Sequence, residues 1–251
     1  MNKISVVLAV YNEEDNLFSC LKSVQNFADE IVVVDGSSTD KTVKIAKEFN
    51  AKIISSDNPP NFHINKNIAI DAASKEWILQ LDADEVVTKE LAKEIKQVVS
   101  KGSQVSGFWI PRKNLFLGKF LTKGGQYPDY TLRLYKKGKG RLPEKDVHEQ
   151  AVVEGRAEYL KNDLLHLRDK NFSIYTERFN RYTDFLANQL RQGGFTNNIF
   201  SFTDYVLIKP LFWFISSYIR HRGYVDGFPG FIFALFSALR FPVVYFKLYK
   251  R

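Results

Sequence analysis

Asp82, Asp84 and Glu85 follow the apolar residues 77–81, at the exit of a predicted strand. Carboxylates beside buried backbone are costly unless they bind a partner. Two carboxylates separated by one residue form a hard oxygen site suited to Mg²⁺ or Mn²⁺, which keeps waters and takes phosphate oxygens as further ligands. The motif therefore predicts a metal and diphosphate site.

The same acidic residues have a second interpretation. The pattern of residues 88–99 predicts a helix, and negative charge near a helix N-terminus is stabilising. Asp84 and Glu85 would then only favour the start of that helix. The three residues alone leave both interpretations open.

The elements that must position these carboxylates alternate between strand and helix over the first hundred residues. The apolar runs are continuous rather than alternating, which is typical of parallel strands covered on both faces. Strands are predicted at residues 3–10, 30–35, 51–55 and 77–82, with helices at 15–27, 40–49 and 64–74 between them.

Polar clusters follow three of these strands. Ligands of open α/β sheets bind outside the carboxyl ends of the strands, so sequence-distant groups are expected to meet there. Asp35 ends a run of valines and could accept a hydrogen bond from a base N–H or a ribose hydroxyl. Asn12 and Glu13 face the same crevice, although Glu13 also fits the first turn of a helix. Asp40 reads as a helix N-cap.

The ordered series of residues 6–17, 31–42 and 79–85 resembles the inverting family 2 glycosyltransferases. Residues 121–141, 146–150 and the C-terminal residues 209–241 are similar to the lipopolysaccharide inner-core β-1,4-glucosyltransferase branch. The resemblance covers nearly the whole chain. It implies an A-type, nucleotide-sugar-binding α/β domain with a mostly parallel sheet. It also implies that Asp35 contacts a uracil-like base, Asp82 the ribose and Asp84 the metal that bridges the diphosphate.

Inverting transfer requires a general base on the face of the sugar opposite the departing diphosphate, so the metal ligand cannot also be the base. Many relatives carry Glu-Asp where this chain has His148 and Glu149. Glu149 is the predicted base, and a surface strand pair is the alternative.

Two cations complete the predicted site. Arg133 lies between apolar residues and either pairs with a carboxylate such as Asp129 or binds phosphate. Lys66, with His63 and Asn67, either reaches the nucleotide or belongs to a solvated helix face.

Other nucleotide sites are excluded by their motifs. No glycine lies between Val10 and Leu17, where a dinucleotide site needs G-x-G-x-x-G, and no P-loop sequence occurs. Cys20 is predicted to be a core residue. A single cysteine cannot form a disulfide within the chain, which favours a protein in the reducing cytosol.

Basic charge is concentrated in the second part of the chain. Residues 1–100 hold 11 Lys and Arg against 16 Asp and Glu, whereas the remainder holds 25 against 12. No nucleic-acid module accompanies this charge, so nucleic acid is not an expected partner. Aromatic and basic residues alternate with apolar runs shorter than a clean spanning helix, which favours helices lying at an anionic membrane surface. Packing on the protein itself is the alternative. Pro210, Pro229 and Pro242 predict several short helices.

The sequence thus predicts a catalytic domain at residues 1–165 and a helical, membrane-surface region at 166–251. The expected activity is metal-dependent, inverting transfer of a hexose from a nucleotide diphosphate sugar, with a lean to UDP, to a lipid-anchored saccharide. The expected location is cytoplasmic, at the inner face of the cytoplasmic membrane. Transfer to polyprenyl phosphate, which needs no general base, and a non-catalytic nucleotide-binding protein are the alternatives. Residues 113–126, rich in glycine, read as a mobile lid or acceptor loop.

Overall fold

The structure is a computed structural model that describes residues 3–101, 104–144, 150–196 and 198–249. The chain divides into two compact units. The N-terminal unit comprises residues 1–112 and 129–166, and the C-terminal unit comprises residues 113–128 and 167–251. The N-terminal unit ends at His166, one residue beyond the expected domain boundary. The short segment 113–128, which was expected in the catalytic domain, belongs to the C-terminal unit.

Apart from a short strand at Glu85–Val87, which the sequence did not predict, the strands and helices of the first hundred residues begin and end within a few residues of the predicted positions, because the predicted strands are continuous apolar runs. They are β1 Ile4–Val10, α1 Leu17–Val24, β2 Glu30–Asp35, α2 Thr42–Glu48, β3 Lys52–Ser55, α3 His63–Ala72, β4 Trp77–Gln80, β5 Glu85–Val87 and α4 Lys89–Ser100. After them come β6 Gly107–Phe116, β7 Lys119–Phe120, β8 Asp129–Lys136, β9 Gly140–Arg141, β10 Val152–Val153, β11 Ala157–Tyr159 and β12 Leu164–Asp169.

The main sheet has the strand order β3-β2-β1-β4-β8-β6-β12-β5. Its first four strands are parallel, whereas β8 is antiparallel to both β4 and β6, and β5 is antiparallel to β12. Apolar clusters cover both faces: α1 and α4 pack on one, and α3 packs on the other. The predicted α/β class with a mostly parallel sheet and C-terminal helices is confirmed.

Residues 113–126 differ from the expected irregular loop. β6 continues through Phe116 and pairs with β7 in an antiparallel hairpin, with Leu115 opposite Phe120. In this C-terminal unit, Phe116 and Leu121 pack with Tyr175 of α5 (Phe172–Gln192). Phe116 and Leu121 are therefore core residues, despite the glycines around them.

The helices of the C-terminal unit are longer than the prolines predict. Residues 199–220 form a continuous helical run of α6 (Ile199–Thr203), a π-helical turn, α7 (Lys209–Phe214) and a second π-helical turn. Pro210 lies in the first turn of α7, where a missing N–H is tolerated. In α8 (Gly227–Lys247), Pro229 lies near the start and only Pro242 is internal. The expectation of several short helices is wrong for this reason.

Two helices among the described residues, Ile199–Arg220 and Gly223–Lys247, are long and apolar enough to cross a membrane by length and composition alone. The sequence-based expectation that neither run is long enough to span holds for uninterrupted apolar residues, because Lys209 and Arg240 lie inside the two helices. Length and composition do not distinguish a spanning helix from a buried or surface one.

Candidate active site

The carboxylate motif lies between two strands. β4 ends at Gln80, and β5 begins at Glu85 and pairs with β12 rather than starting a helix. The next helix, α4, starts at Lys89 and is capped by Thr88, whose side-chain oxygen accepts a hydrogen bond from Leu91 N. The interpretation of these acidic residues as helix-start charges is therefore wrong. Asp82 and Asp84 stand on a short connection at the carboxyl end of β4.

Both oxygens of Asp82 are held by cations. Lys66 of α3 forms an ion pair with Oδ1, and Arg133 of β8 forms one with Oδ2. Arg133 also donates to Gln80 Oε1 at 3.0 Å and to Glu85 Oε1 at 2.8 Å. Burial raises the pKa of Asp82, but attraction by Arg133 and Lys66 outweighs it, so the pKa lies far below its usual range. Asp82 is consequently ionised and locked in place.

Asp84 faces a histidine that the sequence did not single out. His166 Nε2 lies 3.2 Å from Asp84 Oδ2, and only 6% of His166 is exposed. Strand pairing places His166 opposite Glu85, so β12 delivers the imidazole to the carboxylate motif. No residue spacing signals this, because His166 is over eighty residues from Asp84 and belongs to an edge of the sheet that periodicity does not reveal.

This donor set suits a divalent cation with few protein ligands. A carboxylate oxygen and an imidazole nitrogen are accepted by Mn²⁺, and a carboxylate with waters suits Mg²⁺. Among the residues that the structure describes, no group of three or more His, Cys, Asp or Glu is arranged to hold a metal. Asp84 and His166 would therefore hold the ion only together with waters or ligand oxygens.

Glu85 is the fully buried member of the motif. Its Oε2 accepts from Asp82 N at 2.9 Å, and its Oε1 is shared by Arg133 at 2.8 Å and Arg112 at 3.5 Å. Arg112 also donates to Asp129 Oδ2 at 2.7 Å. Asp129 is thus the partner of Arg112, which corrects its expected pairing with Arg133. The antiparallel register that sets Arg112 opposite Asp129 decides this.

Asp35 is the last residue of β2, and within the described part of the chain only one of its two carboxylate oxygens accepts a hydrogen bond. Its Oδ2 accepts from Ser38 N at 3.1 Å, whereas the buried Oδ1 has no hydrogen-bond partner among the residues that the structure describes. A buried acceptor without a partner is costly and calls for a ligand or water. The position fits an acceptor for an N–H or hydroxyl donor.

The loops after β1 and β2 are joined by hydrogen bonds. Asn12 N donates to Ser38 Oγ at 2.9 Å, and Asn12 Oδ1 accepts from Thr39 N at 2.8 Å. Asn12 and Ser37 both adopt left-handed backbone conformations, with φ of 52° and 67°. Such strain outside glycine persists only where surrounding contacts impose it. The side chain of Asn12 therefore shapes the loop, and its oxygen is occupied by the backbone of the neighbouring loop.

Glu13 extends the acidic edge. Its backbone N–H donates to Thr42 Oγ1 at 2.7 Å, and Asn16 Nδ2 donates to its Oε2 at 2.9 Å. Burial raises the pKa of Glu13, and repulsion from Asp84 and Asp82 raises it further against the lowering effect of Asn16. The repulsion of Glu13 by Asp84 and Asp82 indicates that the loop after β1 lies near the carboxylate motif, as the sequence predicts. Asp40 accepts from both Thr42 N and Glu14 N, as a bridge between the loops.

Three residues of α3 differ from the solvated helix face predicted for them. His63, Lys66 and Asn67 are all buried. Asn67 donates to Leu142 O at 3.0 Å and to Glu144 Oε1 at 2.8 Å, so the chain after β9 covers this face. Helical periodicity cannot show that covering, because it arises from residues more than seventy positions away.

His148 and Glu149, the predicted substrate-binding residue and general base, lie outside the described residues, and their roles stay predictions. The described residues on either side attach to the N-terminal unit. Glu144 accepts from Asn67, and Gln150 Oε1 accepts from Thr131 Oγ1 at 3.0 Å.

Comparison with known proteins identifies the family of the chain. Residues 5–151 match the family described as glycosyl transferase family 2. The chain is 27% identical to the lipopolysaccharide core biosynthesis glycosyltransferase LpsC of Rhizobium meliloti, over 99% of this chain and 92% of that protein. It is 28% identical to an uncharacterized glycosyltransferase of Rickettsia bellii, over 94% of this chain and 82% of that protein.

Among solved structures, S. aureus TarS in complex with UDP-GlcNAc has a similar fold. The TM-score is 0.51 at 19% identity, covering 93% of this chain and 79% of TarS. The family match spans more than half of the chain and includes β1, the Asp35 loop and the carboxylate motif. This chain is therefore a glycosyltransferase and belongs to family 2.

Proposed function

We propose that the protein transfers a hexose from a nucleotide diphosphate sugar to a saccharide acceptor with inversion, and that the transfer depends on a divalent metal. The observation that carries the proposal is the joint placement of Asp35, Asp82 and Asp84 at one sheet edge. Asp35 offers an unpartnered buried acceptor, Asp82 is fixed between two cations, and Asp84 faces His166.

Each residue has a distinct proposed task. Asp35 Oδ1 accepts a hydrogen bond from the base, and the resemblance to the inverting family 2 glycosyltransferases favours uracil as that base. Asp82 orients Lys66 and Arg133 and contacts the ribose. Because both oxygens of Asp82 already carry ion pairs, a ribose hydroxyl would share them rather than replace a cation. Lys66 and Arg133 would then lie beside the diphosphate, whose charge they attract. Asn12 and Glu13 shape the neighbouring loop.

Asp84, with His166, would hold Mg²⁺ or Mn²⁺. A bound divalent ion offsets the charge that develops on the departing diphosphate. Glu149 is proposed to take the proton from the acceptor hydroxyl on the opposite face of the sugar, and His148 to bind substrate beside it. A carboxylate performs this task when it is partly removed from water.

The acceptor is proposed to be a lipid-anchored saccharide of the cell envelope, of the lipopolysaccharide core type. The similarity to LpsC over nearly the full length of both chains supports this choice. We further propose peripheral association with the inner face of the cytoplasmic membrane, supported by the two long apolar helices of the C-terminal unit. Polyprenyl phosphate is the alternative acceptor, and it is an anion that needs no base.

The test is a thermal-shift panel of nucleotide sugars with and without Mn²⁺ on the wild type and on Asp84→Asn. Ligand at a hundred times its Kd stabilises the native state by about 2.7 kcal/mol, so the wild type should melt higher with UDP-sugar and Mn²⁺ together. Asp84→Asn should lose the metal-dependent part of the shift. Asp71→Asn is the matched control, because Asp71 lies exposed at the far end of α3 and forms its ion pair with the exposed Arg141.

Turnover completes the test. If EDTA-treated protein keeps full transfer activity, or if Asp84→Asn behaves as Asp71→Asn does, the metal-dependent mechanism is wrong. His166→Gln should weaken Mn²⁺ binding by roughly 10- to 100-fold if the imidazole helps to hold the ion, as measured by Mn²⁺ titration without any sugar.

A further inference from the structure

The helix Ile199–Arg220, here named the outer helix, exposes apolar side chains and, up to Ile219, partly covers its polar ones. Every residue from Ile199 to Ile219 that is exposed is apolar, whereas its serines, threonine, aspartate and lysine are partly covered. Phe200 is 80% exposed, Leu211 63% and Phe212 59%. A water-facing helix shows the opposite arrangement. An apolar face of this extent marks an interaction surface.

The other side of the outer helix is packed within the C-terminal unit. Tyr205 lies edge-on to Phe241 of α8, with ring centroids 6.2 Å apart, and Phe214 contacts Phe231 at 6.1 Å. The outer helix is therefore held on α8 by one side, and its apolar outward side is left without a protein partner among the described residues.

The charges within the two helices do not interrupt the outward face. Lys209 Nζ lies 2.7 Å from Asp204 Oδ2 and 3.7 Å from the centre of the Tyr205 ring. The Arg240 guanidinium lies 5.3 Å from the ring of Trp213. Cations stacked on aromatic rings and paired with a carboxylate are largely accommodated by the protein. Along the sequence, Lys209 and Arg240 interrupt the apolar runs.

A basic turn follows the apolar face. Arg220, His221 and Arg222 are all exposed. Gly124 N donates to His221 O at 2.9 Å, which joins the turn to the segment that carries exposed Lys123. The nearby acid, Asp226, is buried and accepts hydrogen bonds from Thr122 N and Lys123 N, so it is not part of the exposed patch. An apolar face that ends in clustered cations complements the phosphate groups of an anionic bilayer.

The contacts of α8 decide the orientation. Its start is fixed through Asp226 to the segment at residues 122–123, and its end is fixed by Lys247 Nζ, which lies 2.9 Å from Asp184 Oδ1 of α5. α5 lies along α8 and exposes Glu177, Arg181 and Asp184. If α8 crossed a bilayer, α5 would carry these charges into the hydrocarbon, which is costly. An orientation parallel to the membrane keeps them in water.

We propose that the outer helix lies in the plane of an anionic bilayer, with its outward apolar face below the headgroups and Arg220 and Arg222 on lipid phosphates, while α8 remains a protein-packed support. The proposal rests on the membrane-surface association proposed above and specifies its helix, face and orientation.

The first experiment uses the full-length wild type and its own Trp213, which is 40% exposed on the outer helix. Vesicles of phosphatidylcholine and phosphatidylglycerol in equal parts should shift its fluorescence to the blue, and Trp213→Phe should remove that shift. Lipids brominated near the headgroup should quench more strongly than lipids brominated at the chain ends. Strongest quenching by the chain-end bromines would mean a spanning helix and would overturn the proposal.

The second experiment compares vesicle co-sedimentation of variants without nucleotide sugar, so its result is independent of the transferase proposal. Leu211→Glu/Phe212→Glu should abolish binding, whereas Val152→Glu, at an apolar residue equally exposed in the N-terminal unit, should not. Arg220→Gln/Arg222→Gln should weaken binding by about 30-fold, since each cation near an anionic surface contributes about a factor of five.

Lys44→Gln/Lys47→Gln removes the same charge from exposed α2 residues and should leave binding unchanged. Wild type that stays in the supernatant at low salt overturns the proposal. So does Leu211→Glu/Phe212→Glu that binds as the wild type does. Wild type that ignores vesicles but sediments as a dimer, with a monomeric Leu211→Glu/Phe212→Glu variant, would assign the face to a second copy of the chain.

Discussion

Replacing Arg133 by methionine tests whether one buried cation holds the carboxylate motif together. Arg133 is 6% exposed and pairs with Asp82 and with Glu85, which is fully buried. Its removal leaves Glu85 paired with Arg112 at 3.5 Å, while Asp82 keeps its ion pair with Lys66. Breaking a buried ion pair from one side costs about 3–5 kcal/mol. Because both carboxylates retain a second cation, we expect the lower end, about 3 kcal/mol.

The assay is urea unfolding at pH 7 of Arg133→Met, Glu85→Gln and the double variant. Glu85→Gln keeps an oxygen for the hydrogen bond from Asp82 N but removes the buried charge. The double variant should therefore be more stable than Arg133→Met alone. A loss below about 1 kcal/mol in Arg133→Met, the size of an exposed pair, contradicts the reasoning. So does a double variant that is no more stable than the single one.

Three further outcomes are expected. Glu149→Gln should lower turnover by roughly 10²- to 10⁴-fold with donor affinity nearly unchanged, and an unchanged rate would favour polyprenyl phosphate as acceptor. Because the pKa of Glu13 is raised, its ionisation costs stability as pH rises through that pKa, so Glu13→Gln should melt higher than wild type at pH 7 but not at pH 4. Because the pKa of Asp82 is far below its usual range, its contribution is present at neutral pH and lost only in strong acid, so Asp82→Asn should melt lower than wild type at both pH 7 and pH 4.

Local patterns in the sequence were sufficient for the first half of the fold. β2, predicted at residues 30–35, has those bounds in the structure, because its valines pack on both faces of the sheet. Asp35 and the Asp82 motif follow from the same reasoning, since strand order and the crevice rule place both at one edge.

The contacts across the sheet could not be predicted in the same way. The choice of Asp129 as the partner of Arg112 rather than Arg133 depends on the register of β6 and β8, which includes an irregularity between Phe108 and Trp109. His166 reaches Asp84 only because β12 pairs with β5 across a large sequence separation. Single-sequence periodicity carries no information on such pairings.

The C-terminal unit shows a different limit. Lys209 and Arg240 look like interruptions when apolar residues are counted along the chain, but stacking on aromatic rings takes both away from the outward face. Counting residues cannot show where a long side chain turns, so the sequence does not reveal that the outward face of the outer helix is uninterrupted.

The single cysteine of the chain stands directly behind the carboxylate motif. Cys20 is fully buried, its Sγ lies 3.6 Å from Asp82 O, and burial together with the nearby Glu85 and Asp84 raises the pKa of the thiol. A water-soluble disulfide reagent can therefore reach this sulfur only when the N-terminal unit opens around it. The rate of thiol labelling in the native protein therefore measures how often this region opens. A molecule that binds at the carboxylate motif should slow the labelling, and the degree of slowing measures how strongly it stabilises the closed state.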